Sequence, residues 1–434
     1  MKIAVVGSGV AGLGAAWALN QRHDVVLFER ELRLGGHSRT MDITMGNELV
    51  PVDTGFIVFN NRNYPNLTSL LATLGVETEQ TDMSFSVTHD DFEFAASLRT
   101  VLGNPRHLLS RRVAGIVRGI ARFRKDVARC DELEGTEATL ADFLRAERYP
   151  QPFIDDYLLP LAAAVWSGSG TDAGSMPLQS FLHFLANHGL FDLPRPQWRT
   201  VTGGSREYVE RIGKELPRVH LGEGVQSVVR HREGVELMAG GERHSFDHVV
   251  FATHPPTTLD IMGSDATDRE HEILGAFRYA PNRAVVHRDP TFMPRSRSAW
   301  SSWNANGTVS AENHNPVAVT YWMNRLQNLN QDHPVFVTLN PATQPAEVID
   351  EVWFDHPQFD LAAGAAQTRL GTIQGADRFW FAGAWVGYGF HEDGLQSGLT
   401  VAAALGAPAP WHDTIQPASS AARHAAPDLG KVTV

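Results

Sequence analysis

Three glycines near the start of the chain are spaced for phosphate chemistry. Gly7, Gly9 and Gly12 form a G-x-G-x-x-G with Ala11 inside it. The first glycine can take the angles of a tight turn, the second leaves no Cβ between main chain and a pyrophosphate, and the third lets a helix lie close on its strand. Glu29 follows twenty-two residues after Gly7. An acid there accepts hydrogen bonds from a ribose hydroxyl and repels a 2′-phosphate. This is dinucleotide chemistry, and it requires strand, helix and second strand in fixed order. Ile3 to Val6 supply an apolar strand, Leu13 to Leu19 a helix whose N-terminal N–H groups face the phosphates, and Val25 to Phe28 the second strand.

Beyond Glu29 and Arg30 comes Arg33-Leu34-Gly35-Gly36-His37-Ser38-Arg39-Thr40, then Val52-Asp53-Thr54-Gly55-Phe56. A glycine pair followed by a cation suits a loop running along a diphosphate. Here the chain resembles the flavin-containing amine oxidase superfamily, which includes protoporphyrinogen oxidases and the phytoene and other carotenoid desaturases. The resemblance implies FAD, not NAD, as the bound dinucleotide. The commonest family form is G-G-R, whereas this chain has His37 after Gly36 and its arginine at Arg39, so either side chain is a candidate for the phosphate.

Cofactor motifs return in the middle, at Val201-Thr202-Gly203-Gly204-Ser205, at Val225 after the turn Gly222-Glu223-Gly224, and at Ala252 closing the strand from Phe246 to Thr253. The last is Phe379-Trp380-Phe381-Ala382-Gly383-Ala384-Trp385, followed by a glycine-rich loop through Gly394 and Leu395 into a helix ending at Leu405. A helix N-terminus after such a loop supplies N–H donors to the N1 and C2 carbonyl region of a reduced flavin. Ala384 stands where many relatives carry an acid. The stretch Ser167 to Gly174 imitates a second nucleotide loop, but a helix precedes it, so no separate NAD(P)H domain is expected.

The implied fold is α/β: a discontinuous Rossmann-like FAD-binding domain (residues 1–76, 201–254 and 371–408) with an inserted α+β substrate domain (77–200 and 255–370) and a flexible tail over 409–434. Strand-like runs at Ala284–His287, Ala299–Trp303, Val317–Met323 and Val335–Leu339 predict an antiparallel sheet. By resemblance it roofs the flavin, making Tyr321, Trp322, Asn324 and Arg325 candidate cavity residues, with plain core as the alternative.

Composition bounds the rest. A net charge of −12 argues against nucleic acid as a partner. Cys130 is the only cysteine, so no intrachain disulfide or cysteine-based metal cluster can form, and no metal site is read. The chain opens on its first strand and has no long apolar run, from which a cytoplasmic location is expected. From Leu108 a two-faced helix is predicted, with Leu109, Val113, Ile116, Ile120, Phe123 and Val127 on one side. Arg111, Arg118, Arg122, Lys125 and Arg129 form a stripe on the other. That stripe could touch an anionic membrane at the inner face, or simply be solvated.

Amine oxidation is the first functional candidate, but the only lysines are Lys2, Lys125, Lys214 and Lys431, none in the 255–370 sheet where many amine oxidases carry one. Phe56-Ile57-Val58-Phe59-Asn60, Thr320-Tyr321-Trp322-Met323-Asn324 and Gly389-Phe390-His391-Glu392-Asp393-Gly394 are similar to bacterial FAD-dependent oxidoreductases found beside cyclopropane-fatty-acid-synthase-type methyltransferases. That resemblance implies an acyl-lipid substrate, a methyltransferase neighbour in the pathway and desaturation of a methyl-branched chain toward a furan fatty acid. Hydride would pass to flavin N5 while a base removes the neighbouring proton. His391 and Glu392 are the candidate bases, with loop-holding or capping as the rival role. Trp385 and Tyr388 are candidate flavin walls. A flavoprotein that binds without turnover is the reading from a different class.

Overall fold

The computed structural model describes residues 1–89, 92–95, 110–130, 138–166, 170–187, 189–192, 196–307 and 317–415. Five strands from three distant stretches form one sheet: β1 (Lys2–Val6), β2 (Asp24–Glu29), β3 (Val219–Leu221), β4 (His248–Phe251) and β5 (Phe379–Phe381). Their order is β3-β2-β1-β4-β5 and every neighbouring pair is parallel. A parallel strand is covered on both faces, which is why Ile3 to Val6 read as an unbroken apolar run and are at most 3% exposed. The chain leaves β1 toward β2 on one side and later pairs it with β4 on the other. A crevice therefore opens at the carboxyl ends of the strands, where such sheets bind ligands.

Helix α1 (Val10–Leu19) is buried on every side. The sheet lies on one side of it. On the other lies the last long helix of the described chain, which follows α2 (Pro65–Thr73), α3 (Arg111–Val127) and α4 (Arg206–Glu215) and is labelled α5 (His391–Ala404). Glycine makes this sandwich possible. A Cβ on Gly12 would lie 1.9 Å from the Gly7 carbonyl oxygen, and one on Gly398 would lie 2.1 Å from that of Ala11. Both α1 and α5 start at the crevice.

A second sheet of seven strands runs in the order 348–358, 278–287, 336–339, 318–322, 303–306, 85–89 and 92–95. It is antiparallel except where Trp303–Asn306 pairs with Phe85–His89. The expected strand at Ala299 begins instead at Trp303, because Arg297–Ala299 form a helical turn. The strand Val348–Gln358 escaped prediction, since its exposed face carries Glu351, Trp353 and Asp355 and breaks the apolar signal. A three-stranded sheet, with Trp198–Val201 between Val58–Asn60 and Thr78–Thr81, ties the first cofactor segment to the second.

The helix expected from Leu108 starts at Arg111, with Ser110 accepting from Val113 N as its cap; Leu109 and residues 167–169 lie outside the described residues. The expected loose tail is packed as far as 415. Trp411 stacks on Trp17 with ring centroids 5.6 Å apart and donates to Asn66 Oδ1 at 3.1 Å.

The packing of α1 against α5 predicts a paired outcome in urea melts. Gly398→Ala should cost about 1–3 kcal/mol or more, because its Cβ meets backbone that cannot retreat. Gly364→Ala, inside the helix Leu361–Arg369 with nothing within 4 Å, should gain up to about 1 kcal/mol.

Candidate active site

A continuous cavity of about 590 Å³ runs from the carboxyl ends of the five-stranded sheet into the space beneath the second sheet. Residues just beyond all five strands line it: Gly7 after β1, Glu29 and Arg30 at the end of β2, Val225 beyond β3, Ala252 after β4 and Gly383 after β5. Ala11, Gly9, Gly35, Gly36, His37, Thr54, Gly55, Tyr321, Trp385 and His391 complete the predicted residues that reach it.

The two N-terminal glycine motifs meet. Gly35 N donates to the Ser8 carbonyl at 3.0 Å, and a Cβ on Gly36, whose φ is +55°, would stand 3.1 Å from the Gly9 Cα. Gly9 faces open space, with nothing within 4 Å of its Cβ position. Glu29 receives Ser8 N at 2.8 Å and Ser8 Oγ at 2.6 Å on one oxygen, and Glu31 N at 2.9 Å on the other. The glycine loop thus orients the acid at the crevice rim, with lone pairs left to accept from a ribose.

Four histidines surround the middle of the cavity. His37 stacks on Phe354 with centroids 4.7 Å apart and lies 5.4 Å from His356, while His254 stacks on Tyr279 at 4.2 Å. Burial lowers all four pKa values: His37 well below the ordinary value, His254 less far, His356 to about 4 and His391 to about 3. All are neutral at physiological pH. The His391 ring lies flat on Phe56, centroids 3.7 Å apart and 8° from parallel, and its Nε2 hydrogen-bonds the Tyr208 hydroxyl at 2.7 Å. Ser38 Oγ bonds the same hydroxyl.

Several predicted residues stand back from the cavity. Gly12, Gly394 and Leu395 pack α1 against the loop, the sheet and α5; a Cβ on Gly394 would be 2.8 Å from Val10 Cγ1, and one on Gly14 would be 2.5 Å from Leu395 Cδ1. Ser38 belongs to the Tyr208 network. Arg39 pairs with Asp350 at 2.7 Å and donates to Thr54 Oγ1 at 3.0 Å. Asp53 accepts Ser205 N at 2.9 Å and Thr40 Oγ1 at 2.6 Å, and its backbone N donates to Gln327 Oε1 at 2.9 Å. It therefore joins the second and middle cofactor segments to Gln327, in the link between two strands of the second sheet. Glu392 turns away, taking Asn66 N and Asn66 Nδ2 at 2.8 Å and Leu67 N at 3.0 Å, so that it caps α2. Tyr388 makes an edge contact with Phe184 instead of facing the cavity.

Sequence reasoning missed Arg33, His254, Phe354 and His356 among the lining residues. Arg33 stands just before the glycine pair and His254 just after Ala252-Thr253, so proximity to a motif was the available signal. Phe354 and His356 alternate on the unpredicted strand, where period two would have paired them.

This crevice suits FAD. It has a Cβ-free approach at Gly9, an acid at the end of the second strand that could accept from a ribose, two helix starts with the N–H groups every first turn leaves unpaired, and the buried Trp385 Nε1 at the wall, without a hydrogen-bond partner among the described residues. Fold and site together define a FAD-dependent oxidoreductase. The family model for flavin containing amine oxidoreductases matches residues 10–279, and the chain belongs to that family. Solved structures share the fold at low identity. A CLA-producing fatty acid isomerase from P. acnes is 15% identical, with TM-score 0.65 over 91% of this chain and 96% of that one. Cyclohexylamine oxidase from Brevibacterium oxydans is 17% identical, with TM-score 0.65 over 93% and 99%. Putrescine oxidase bound to putrescine is 16% identical, with TM-score 0.66 over 93% and 99%.

Two predictions follow from the geometry. Arg33 lines the cavity and Arg39 is held by Asp350. Arg33→Ala should therefore weaken FAD binding about tenfold or more, the scale of one charge-assisted hydrogen bond. Arg39→Ala should leave it within about twofold; fluorescence titration of the apoprotein with FAD measures both.

Burial raises the pKa of Asp53 to about 6 and those of Glu392 and Asp393 to about 7, outweighing the hydrogen bonds that favour their anions. Unfolded, they ionise near pH 4. Between those values these three groups hold more protons folded than unfolded, so they contribute stability that is lost as pH rises from about 4 to 7, while the four buried histidines contribute in the opposite sense. Relative to the native chain, the urea midpoint of Glu392→Gln should be lower at acid pH, and the gap should narrow as pH rises across that window.

Proposed function

We propose that this protein dehydrogenates an apolar acyl-chain lipid, desaturating a methyl-branched fatty acyl chain such as that of a phospholipid. One observation carries the reading. The end of the cavity away from the glycine loops is walled by Met83, Val165, Phe184, Leu190, Trp303 and Val337, with no charged side chain among its lining residues. The lining carboxylates Glu29, Glu31 and Asp355 belong instead to the dinucleotide end, where Asp355 acts on His254. A cationic amine would find no buried anion to replace its water, whereas a hydrocarbon chain gains about 25 cal/mol per Å² it buries.

When bound, FAD supplies a two-electron acceptor at the junction of the two halves. The chain's own residues hold the substrate there and keep water out. Trp303 stands edge-on to Tyr321 with centroids 5.0 Å apart, a rigid pair that narrows the approach. His391 presents a neutral ring whose orientation is set by Phe56 and Tyr208. A histidine pushed to a pKa of about 3 by burial is a weak proton acceptor, so its part in this proposal is to position the reacting carbon. Glu392, spent on the start of α2, has no part in the chemistry. The fatty acid isomerase that shares this fold supports the lipid reading; putrescine oxidase and cyclohexylamine oxidase keep amine oxidation as the second one.

The test is anaerobic mixing of the yellow protein with methyl-branched phospholipids, unbranched phospholipids, alkyl amines and putrescine, following loss of oxidised-flavin absorbance. Branched acyl lipids should bleach it, and His391→Ala should slow that bleaching about tenfold with FAD retained. Bleaching by amines alone would replace this reading with the second.

A further inference from the structure

The outward face of α3 has a composition unlike the rest of this acidic molecule. Six of its seventeen residues are cations, and its one acid, Asp126, receives the Tyr149 hydroxyl on the inner side. Arg111, Arg118, Arg124, Lys125 and, just past the helix, Arg129 are exposed. Among the described residues the first four have no ion-pair partner, in contrast to Arg112 on Asp156 and Arg122 on Glu147. Between the cations at 100° per residue lie Ala114, Val117, Ala121 and Ala128, also exposed, with Val117 46% accessible. Among its described residues the outward face of the helix is thus small apolar residues flanked by five positive charges, with Glu147 on Arg122 at its edge.

The inner face of the same helix packs behind the apolar end of the cavity. Phe123 lies 5.4 Å from Phe191 and 6.4 Å from Phe181, centroid to centroid. Leu190, next to Phe191, and Phe184, one turn beyond Phe181, line the cavity itself. Helix α3, about 10 Å across, and the layer that holds Phe181 and Phe191 stand between the basic face and the cavity wall.

We propose that this face of α3 docks the protein peripherally on an anionic lipid bilayer. Cations along one helix face complement anionic headgroups, and the interleaved alanines and valine permit close approach without deep insertion. Among the described residues no helix is long and apolar enough to cross a membrane, so the contact is with a surface. A duplex nucleic acid is less well matched. It gains nothing from the apolar residues between the cations. The inference stands apart from the identity of the oxidised substrate, although a docked helix α3 would bring the apolar cavity close to acyl chains.

Vesicle sedimentation of the FAD-loaded full chain tests it, using phosphatidylcholine alone and phosphatidylcholine mixed with phosphatidylglycerol. The protein should bind the mixed vesicles, ignore the neutral ones and come off in high salt. The triple variant Arg118→Glu, Lys125→Glu, Arg129→Glu should bind at least about a hundredfold more weakly. Its unchanged flavin spectrum would show that the fold is intact. Equal binding by this folded variant, no binding by the native chain, or tighter binding to duplex DNA than to mixed vesicles would each overturn the proposal. Flavin bleaching by detergent-dispersed lipid reads the substrate separately, so loss of vesicle binding with bleaching retained supports docking alone.

Discussion

The contact on which the rest depends is backbone against backbone. Helix α1 is pressed between the Gly7 turn on one side and Gly398 of α5 on the other, at distances only glycine permits. That closeness aligns the starts of α1 and α5 on one crevice and brings together chain segments nearly four hundred residues apart. Without it the phosphate loop and the last cofactor loop would each exist, but they would not face the same ligand.

Charge is sorted along the cavity. The dinucleotide end holds Glu29, Arg30 and Arg33, and there burial lowers the Arg33 pKa. The middle holds histidines kept neutral by burial, and the far end is hydrocarbon. Carboxylates that are buried elsewhere serve as joints. Asp53 binds the cofactor segments to Gln327, and Glu392 binds α5 to α2, each meeting several N–H or O–H donors. Such groups carry a desolvation penalty that those donors only partly offset. They contribute stability that is present at acid pH and lost toward neutrality, and the buried histidines contribute in the opposite sense.

The seven-stranded sheet contributes by alternation. Val337 and Leu339 reach the cavity as alternate side chains of one strand, and Val352, Phe354 and His356 do so on another, where Trp353, Asp355 and Pro357 also belong to the lining. It contributes breadth and hydrophobicity more than reactive groups. This fits an enzyme in which the cofactor supplies the electron chemistry and the protein supplies position and dryness.

The sequence by itself determined the dinucleotide half. Glycine spacing, apolar run length and an acid after the second strand are local constraints, legible because each follows from backbone geometry over a few residues. It also carried the two faces of α3, since helical periodicity reports burial directly. Only the tertiary structure decided that Asp53 and Glu392 are joints, that Arg39 is spent on Asp350 while Arg33 lines the cavity, and that His254 and His356 gather around His37. The physical reason is that a polar side chain's role depends on which distant donors, charges and rings surround it. Those neighbours come from strands and loops hundreds of residues away, whose approach no local pattern encodes.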